Sequence, residues 1–98
     1  MLTHHVLFWL KADTTSGQKE AFRKGLQSLE KVETIRGIFI GTPAPIERAV
    51  VDTTYSFSLL TLFDDLAGHD VYQTHALHLA FLDEFRSLFE KVIIYDSI

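Results

Sequence analysis

Three residues in the second half of the chain have the types and spacing needed for acid/base chemistry: Tyr72, His75 and His78. On a continuous helix, residues three apart fan over an arc of about 120°. An imidazole has an ordinary pKa of about 6.5, and burial lowers that pKa, which favours a neutral ring that accepts a proton. A tyrosine hydroxyl can donate a hydrogen bond to a substrate carbonyl and stabilise an enolate. The set therefore predicts a site of proton transfer.

His78 is the candidate base because its spacing directs it to the apolar side of its helix. Phe81, Leu82 and Phe85 follow it at positions typical of one helical face. We expect Phe81 to line an apolar pocket beside the ring, and Tyr72 to be the polarising acid. Asp96 would hold the second ring nitrogen and fix its tautomer if the last strand brings the carboxylate near.

The same residues have structural interpretations that the sequence leaves open. His75 and His78 are also consistent with helix-turn residues that bond the backbone or cap a helix break. Tyr72 is also consistent with a core aromatic residue whose hydroxyl has a protein partner. Both interpretations stand beside the catalytic one.

The other histidines differ in their expected positions. His4 lies early in an apolar strand and is expected to line the same cavity as His78. His5 points to the opposite face of that strand, because side chains alternate along a strand. We predict that His5 and His69 are ordinary surface or interface residues.

A metal site is the weaker alternative. His75 and His78 could ligate a metal with Asp96 or His4 as third ligand. Helical zinc motifs, however, more often use histidines four apart with a nearby glutamate. The chain has no cysteine, which excludes thiolate sites and disulfides. No phosphate-binding loop, nucleophile elbow or nicotinamide fingerprint occurs, and we predict neither a metal nor a cofactor.

Composition limits the classes of partner. A chain of 98 residues that is 47% hydrophobic suits one packed domain, residues 1–98. Nine Lys and Arg against thirteen Asp and Glu give a net charge of −4, which disfavours binding to nucleic acid or an anionic membrane. Residues 6–10 are far short of the roughly 20 that span a bilayer and lack the flanks of a signal peptide. We expect a cytoplasmic protein.

The first half of the chain predicts a strand, a helix and a strand. Residues 4–10 form the first strand, and Thr15 and Gln18 have capping-box spacing at the start of an amphipathic helix. Gly37 is expected to end that helix. A second strand follows at residues 38–40, which Gly41 and two prolines stop.

The second half repeats the elements in the order strand, helix, strand. Strands are predicted at residues 54–63 and 92–95, and Asp64 and Asp65 can cap a helical region over residues 66–89 that is broken near residues 74–76 or continuous. The order β-α-β-β-α-β matches the ferredoxin-like motif. This is an α+β fold with a four-stranded antiparallel sheet.

The strands are apolar on both faces. In strand one, Val6 and Phe8 point one way, and Leu7 and Trp9 point the other. A sheet with helices on one side should be polar on the other side if that side meets water. No third layer remains in 98 residues, so the simplest cover is a second copy, which predicts a two-fold homodimer through the sheet face.

Five segments together resemble the stress-responsive A/B barrel family, the dimeric α+β barrel (Dabb) domain, over nearly the whole chain. They are the opening HHVLFWLK of residues 4–11, Gly41, Phe63 with Asp64, the block YQTHALH of residues 72–78, and the ending EKVIIYD of residues 90–96. The block at residues 72–78 is the most specific, since the family has Tyr-x-x-His-Pro-x-His there.

The resemblance implies two sheets that pair across a dimer into a barrel. It implies function only loosely, because most members are uncharacterised or tied to stress responses, and fold alone does not transfer activity. A plant polyketide cyclase of similar fold uses a Tyr and a His of this motif as its acid/base pair. Ala76 stands where the family usually has Pro, and without that kink the helix could run straight through residues 66–88.

The leading hypothesis is a homodimer with one small apolar pocket per subunit. The pocket would bind a hydrophobic or polyketide-like molecule and do cofactor-free chemistry, with His78 as base, Tyr72 as acid, and His4, His75 and Asp96 orienting. Two alternatives remain open from the sequence. One is a non-enzymatic, stress-associated oligomer, and the other is a relative of the cofactor-free monooxygenases.

Overall fold

The computed structural model describes residues 1–98 as a four-stranded antiparallel sheet with helices on one face. The elements in chain order are β1 (Leu2–Leu10), α1 (Ser16–Ser28), β2 (Ile35–Gly41), β3 (Phe57–Phe63), α2 (Leu66–Thr74), α3 (Ala76–Phe85) and β4 (Phe89–Ser97). The strand order is β2-β3-β1-β4, so β1 is central and β4 is an edge strand. This confirms the predicted ferredoxin-like fold. None of the helices has the length and apolar character needed to cross a bilayer.

Helix α1 begins as its sequence predicts. The Thr15 hydroxyl accepts a hydrogen bond from the Gln18 amide at 3.1 Å, and the Gln18 side chain accepts one from the Thr15 amide at 2.8 Å. The predicted end at Gly37 is wrong, because the helix ends at Ser28 and a 3₁₀ turn follows. Gly37 lies within β2, where a Cβ would be 3.0 Å from a methyl carbon of Leu62. Close packing, rather than a left-handed turn, explains this glycine.

Pairing with neighbours sets the strand ends, which differ from the predicted ones. Strand β2 begins at Ile35, opposite Phe63, and includes Gly41. Strand β3 begins at Phe57, since Ser56 and Thr54 bond through their side chains to Leu10 and Trp9. Strand β4 extends over Phe89–Ser97 because it pairs along nearly all of β1.

The core lies between the sheet and the helices, with Phe22 of α1 at its centre. Phe22 is fully buried, and its ring lies 5.1–5.4 Å from the rings of Phe8, Phe57, Phe81 and Phe85. These pairs are mostly edge-to-face or tilted, as aromatic quadrupoles favour. The aromatic cluster therefore fixes α1 and α3 against the sheet.

Gly25 provides a test of this packing. A Cβ at Gly25 would lie 2.3 Å from Cε2 of Phe85, a ring held by Phe22 and Phe81. Gly25→Ala is expected to destabilise the protein by about 1–2 kcal/mol, because overpacking outweighs the gain in helix propensity. Gly17→Ala in the same helix is the control, since its Cβ meets nothing closer than 3.9 Å. Urea unfolding of both variants measures the difference, and equal effects would contradict the packing argument.

The second face of the sheet carries no helix and is apolar. Phe39 and Tyr95 on this face are 66% and 59% exposed. They lie in one row with Leu60 and His5, because the register pairs Phe39 with Leu60, Leu60 with His5, and His5 with Tyr95. A neighbouring row contains Leu7 and Ile93. The term open face is used below for the six residues His5, Leu7, Phe39, Leu60, Ile93 and Tyr95.

Candidate functional site

The helical region of residues 66–85 is broken at a single residue. Helix α2 ends at Thr74 and α3 begins at Ala76, while His75 between them has an extended backbone with φ −64° and ψ 141°. The His75 side chain caps α3, since its Nδ1 accepts a hydrogen bond from the Leu77 amide at 3.1 Å. The continuous-helix alternative is therefore wrong, and the break forms without a proline at Ala76.

This break fixes the tautomer of His78. In a continuous helix the carbonyl of Gln73 would accept from the Leu77 amide, but His75 takes that amide. The Gln73 carbonyl instead accepts a hydrogen bond from Nδ1 of His78 at 3.0 Å. A carbonyl only accepts, so Nδ1 carries the hydrogen and Nε2 keeps its lone pair. His78 is set up as a base by the backbone.

His78 lies at one end of a cavity of about 180 Å³ between the sheet and the helices α2 and α3. Nine of its twelve lining residues are hydrophobic. The lining residues are His4, Val6, Phe8, Leu59, Tyr72, Gln73, His78, Phe81, Leu82, Phe89, Val92 and Ile94. A larger groove of about 470 Å³ between α1 and the start of β3 is lined mainly by polar residues and contains none of the predicted site residues.

Tyr72 lines the cavity beside His78, with 4.5 Å between the ring centroids. The residue is only 1% exposed, and burial raises the pKa of its hydroxyl, so the phenol stays protonated. No buried polar side-chain atom lacks a partner, and none of the hydrogen bonds of the protein uses this hydroxyl. The hydroxyl therefore has no hydrogen-bond partner within the protein and keeps some accessible surface.

Asp96 orients His4, and not His78 as the sequence predicted. The Asp96 carboxylate accepts a hydrogen bond from Nδ1 of His4 at 2.6 Å, because the β1–β4 register places the two residues opposite each other. His4 is buried and lines the cavity, as expected. Its remaining nitrogen, Nε2, carries the lone pair.

His75 does not line the cavity, and its structural interpretation as a residue that caps the helix break is the one that the structure shows. Its Nε2 lies 3.2 Å from the Glu33 carboxylate near the protein surface. The residue acts on the site indirectly, by capping α3 and leaving the Gln73 carbonyl to His78. Phe81, in contrast, is buried and lines the cavity as predicted.

His69 was predicted to be an ordinary surface or interface residue, whereas its side chain is only 12% exposed and packs inside the subunit. Its ring centroid lies 4.9 Å from that of His4 and 5.7 Å from that of Phe63, and its Nε2 accepts a hydrogen bond from the side-chain amide of Gln73 at 3.0 Å. Its spacing of three and four from Tyr72 and Gln73 was the available signal, since all three share the inner face of α2. His69 therefore packs against His4, next to the residues that line the cavity.

The pKa of His78 predicts a loss of stability in acid. Burial lowers the pKa of His78, and the nearby His69 lowers it further, against the opposing effect of the Gln73 carbonyl. The unfolded chain then binds a proton more readily than the folded one. The contribution of the neutral His78 ring to the free energy of unfolding is therefore fully present above about pH 6.5, the ordinary pKa of an imidazole. It is lost as the pH falls below that value.

Urea unfolding between pH 8 and pH 5 measures this contribution. The groups that face the His78 ring are Tyr72, His69 and His4. The pKa of His4 is lowered too, so part of the acid loss remains when His78 is changed. We expect a shallower fall in the free energy of unfolding for His78→Gln than for the natural protein, and parallel curves would contradict the assignment.

Comparison with known proteins was made for sequence and for structure. Residues 2–98 match the family described as the stress responsive A/B barrel domain. No curated protein matches the chain.

Solved structures share the fold. A Dabb family protein with a ferredoxin-like fold from Mesorhizobium loti is 23% identical with a TM-score of 0.80, covering 99% of this chain and 94% of the other. A dimeric protein of unknown function and ferredoxin-like fold from Bacteroides fragilis is 25% identical with a TM-score of 0.76, covering 98% and 93%. A hydroxynitrile lyase from Passiflora edulis is 19% identical with a TM-score of 0.82, covering 99% and 91%.

Proposed function

Because this chain belongs to the stress-responsive A/B barrel domain family, we propose that its residues 1–98 act as one domain of a homodimer with a small-molecule site in each subunit. Each cavity binds a small, mainly apolar molecule that carries a carbonyl group. His78 and Tyr72 then move a proton on that molecule without a cofactor. One observation carries the proposal: an imidazole with a free Nε2 and a phenol without a protein partner line the same, mainly apolar cavity, with their ring centroids 4.5 Å apart.

The two groups have complementary roles. Nε2 of His78 removes a proton from the carbon next to the carbonyl, and the electron pair of that C–H bond forms an enolate. The Tyr72 hydroxyl donates a hydrogen bond to the enolate oxygen, which stabilises the developing charge in a site of low polarity. The protonated His78 then returns the proton, and Nδ1 keeps its bond to the Gln73 carbonyl throughout.

The cavity limits the size of the ligand. A cavity of about 150 Å³ holds a molecule such as benzene, so 180 Å³ accommodates one ring or a short alkyl chain with a carbonyl group. Phe81 and Phe89 line the apolar part. Val92 and Ile94 of the edge strand are 38% and 49% exposed although they line the cavity. They mark an opening through which a longer tail would project.

Among the structures of the same fold, one is an enzyme, which supports an enzymatic role in general but no particular reaction. The Passiflora edulis protein of the same fold is a hydroxynitrile lyase, so the fold accommodates enzymes. At 19% identity this likeness concerns the fold, and the substrate proposed here rests on the cavity instead.

The open face is the surface through which we propose that two copies associate. Burial of exposed apolar surface stabilises association, and Phe39 and Tyr95 at its two sides remain largely exposed in one chain. The Bacteroides fragilis relative is described as dimeric. A role in assembly alone is the second candidate, favoured by this same face, and it predicts a dimer that binds no small molecule in its cavity.

Exchange of hydrogen for deuterium tests the chemistry without knowledge of the natural substrate. Small phenyl ketones and 1,3-diketones are incubated in D₂O with the protein, and the loss of protons next to the carbonyl is followed by NMR. We expect faster exchange with the protein than with buffer for at least one compound, and saturation as its concentration rises. Exchange equal to that in buffer for the whole panel would refute the proposed chemistry and leave the assembly role.

A further inference from the structure

Three elements bring together side chains that are typical metal ligands. His4 of β1, His69 of α2 and Asp96 of β4 each offer one ligand atom, and these atoms all lie within 4.8 Å of one another. We propose that this cluster, here called the His–His–Asp cluster, binds a divalent transition metal such as Zn²⁺. The sequence predicted no metal site because it contains no helical pair with the usual spacing, whereas this cluster is built by strand register and helix packing.

The hydrogen bonds of His69 leave one nitrogen available to a metal. Its Nδ1 donates a hydrogen bond to the Asp70 carboxylate at 3.3 Å. Its Nε2 keeps a lone pair, which accepts a hydrogen bond from the side-chain amide of Gln73 at 3.0 Å. A carboxylate on the outer nitrogen of a ligand histidine fixes the ring and raises its basicity in many metal sites. A metal would take the Nε2 lone pair in place of the Gln73 amide.

His4 and Asp96 supply the other two ligands. The His4 side chain is 3% exposed and the Asp96 side chain is 45% exposed, so the cluster is buried at one side and reaches solvent at the other. An entry path for an ion is therefore present. The two imidazoles are already close, with ring centroids 4.9 Å apart in an edge-to-face arrangement.

Binding requires that the Asp96 carboxylate exchange its hydrogen bond from Nδ1 of His4 for a bond to the metal, and that the cluster contract. With bonds of about 2.0–2.2 Å in a tetrahedral site, ligand atoms lie roughly 3.3–3.6 Å apart, so the widest separation must close by about 1.2–1.5 Å. Asp96 can supply this movement, because it lies on an edge strand and its carboxylate is half exposed. A fourth position is left for water.

The ligand types select the metal. Two imidazoles with one carboxylate suit Zn²⁺ and Co²⁺, whereas Mg²⁺ and Ca²⁺ prefer sites made of oxygen alone. The site goes beyond the proposed acid/base function, and the two proposals can fail separately. Neither His78 nor Tyr72 is among the proposed ligands.

Calorimetric titration of the full chain with ZnCl₂ tests the site, with absorption of bound Co²⁺ as a second readout of its coordination. We expect one Zn²⁺ per chain and no binding of Mg²⁺. His69→Ala and Asp96→Ala are each expected to weaken Zn²⁺ binding by at least about tenfold. His75→Asn is the matched control, because it removes a histidine paired with Glu33 and keeps a residue that caps helices well.

Circular dichroism first confirms that each variant is folded. Zn²⁺ binding that is unchanged in both His69→Ala and Asp96→Ala, or that is lost only in His75→Asn, would assign the ion to another surface histidine and overturn the proposal. The absence of saturable binding below about 1 mM Zn²⁺, an affinity too weak for a built site, would overturn it as well. Deuterium exchange by the metal-free protein is measured separately, so a failure here does not bear on His78.

Discussion

Leu60→Glu is expected to convert the proposed dimer into a monomer of 11.2 kDa. Leu60 lies in the middle of the open face, between Phe39 of β2 and His5 of β1. A two-fold interface would bury both copies of the new carboxylate among mainly apolar side chains, with only the His5 imidazole of the same row as a partner. Each buried charge without an adequate partner costs several kcal/mol, so we expect association to weaken by at least about a thousandfold. Sedimentation over a range of concentrations measures the change.

Leu79→Glu is the matched control for this experiment. Leu79 is 52% exposed on the outer side of α3, and the substitution introduces the same charge away from the sheet. This variant is expected to remain dimeric. A stable monomer for the unchanged protein, or a Leu60→Glu variant that associates as well as Leu79→Glu, would contradict the interface.

His78→Gln is expected to abolish most of the catalysed exchange. Glutamine keeps a polar side chain of similar length but accepts no proton at neutral pH, and general base catalysis contributes about 10²–10⁴ in rate. Tyr72→Phe removes the hydroxyl of a residue that lines the cavity and leaves the aromatic packing against His78 and Phe63 in place. Its expected loss is about 10²–10³, as for removal of one donor to an oxyanion.

His5→Gln is the control for these two substitutions. His5 lies next to His4 in the chain but on the open face, where its Nε2 bonds to the Ser58 hydroxyl at 2.8 Å, so the cavity is untouched. We expect exchange close to that of the unchanged protein when the variant is dimeric. Equal losses in all three variants would show that the effect is structural, and full activity in His78→Gln would exclude His78 as the base.

The fold was predictable because its main signals are local. The capping box at Thr15 and Gln18 and the cap at Asp65 both form as predicted, and the two-faced apolar character of β1 marked the open face. Gly37 was interpreted wrongly because a glycine that ends a helix and one that admits a neighbouring side chain look alike in a sequence. Only the position of Leu62 distinguishes them.

The candidate site was predictable in part. His78 and Phe81 follow a helical period, so their approach to the sheet could be inferred from the chain. The partner of Asp96 depends on the register between β1 and β4, which pairs it with His4, and no periodicity reveals that register. The role of His75 depends on which backbone amide its ring caps, which the sequence also leaves open.

The imidazole nitrogens of His78 provide the most direct test of the proposed site. Two-bond ¹H–¹⁵N NMR correlations of the unliganded protein distinguish the two neutral tautomers. The hydrogen bond to the Gln73 carbonyl predicts a hydrogen on Nδ1 and a lone pair on Nε2. A small ketone whose protons the protein exchanges for deuterium is expected to shift the Nε2 resonance when it binds. A hydrogen on Nε2, or an Nε2 resonance that does not respond to any such ketone, would contradict the assignment of His78 as the base of this cavity.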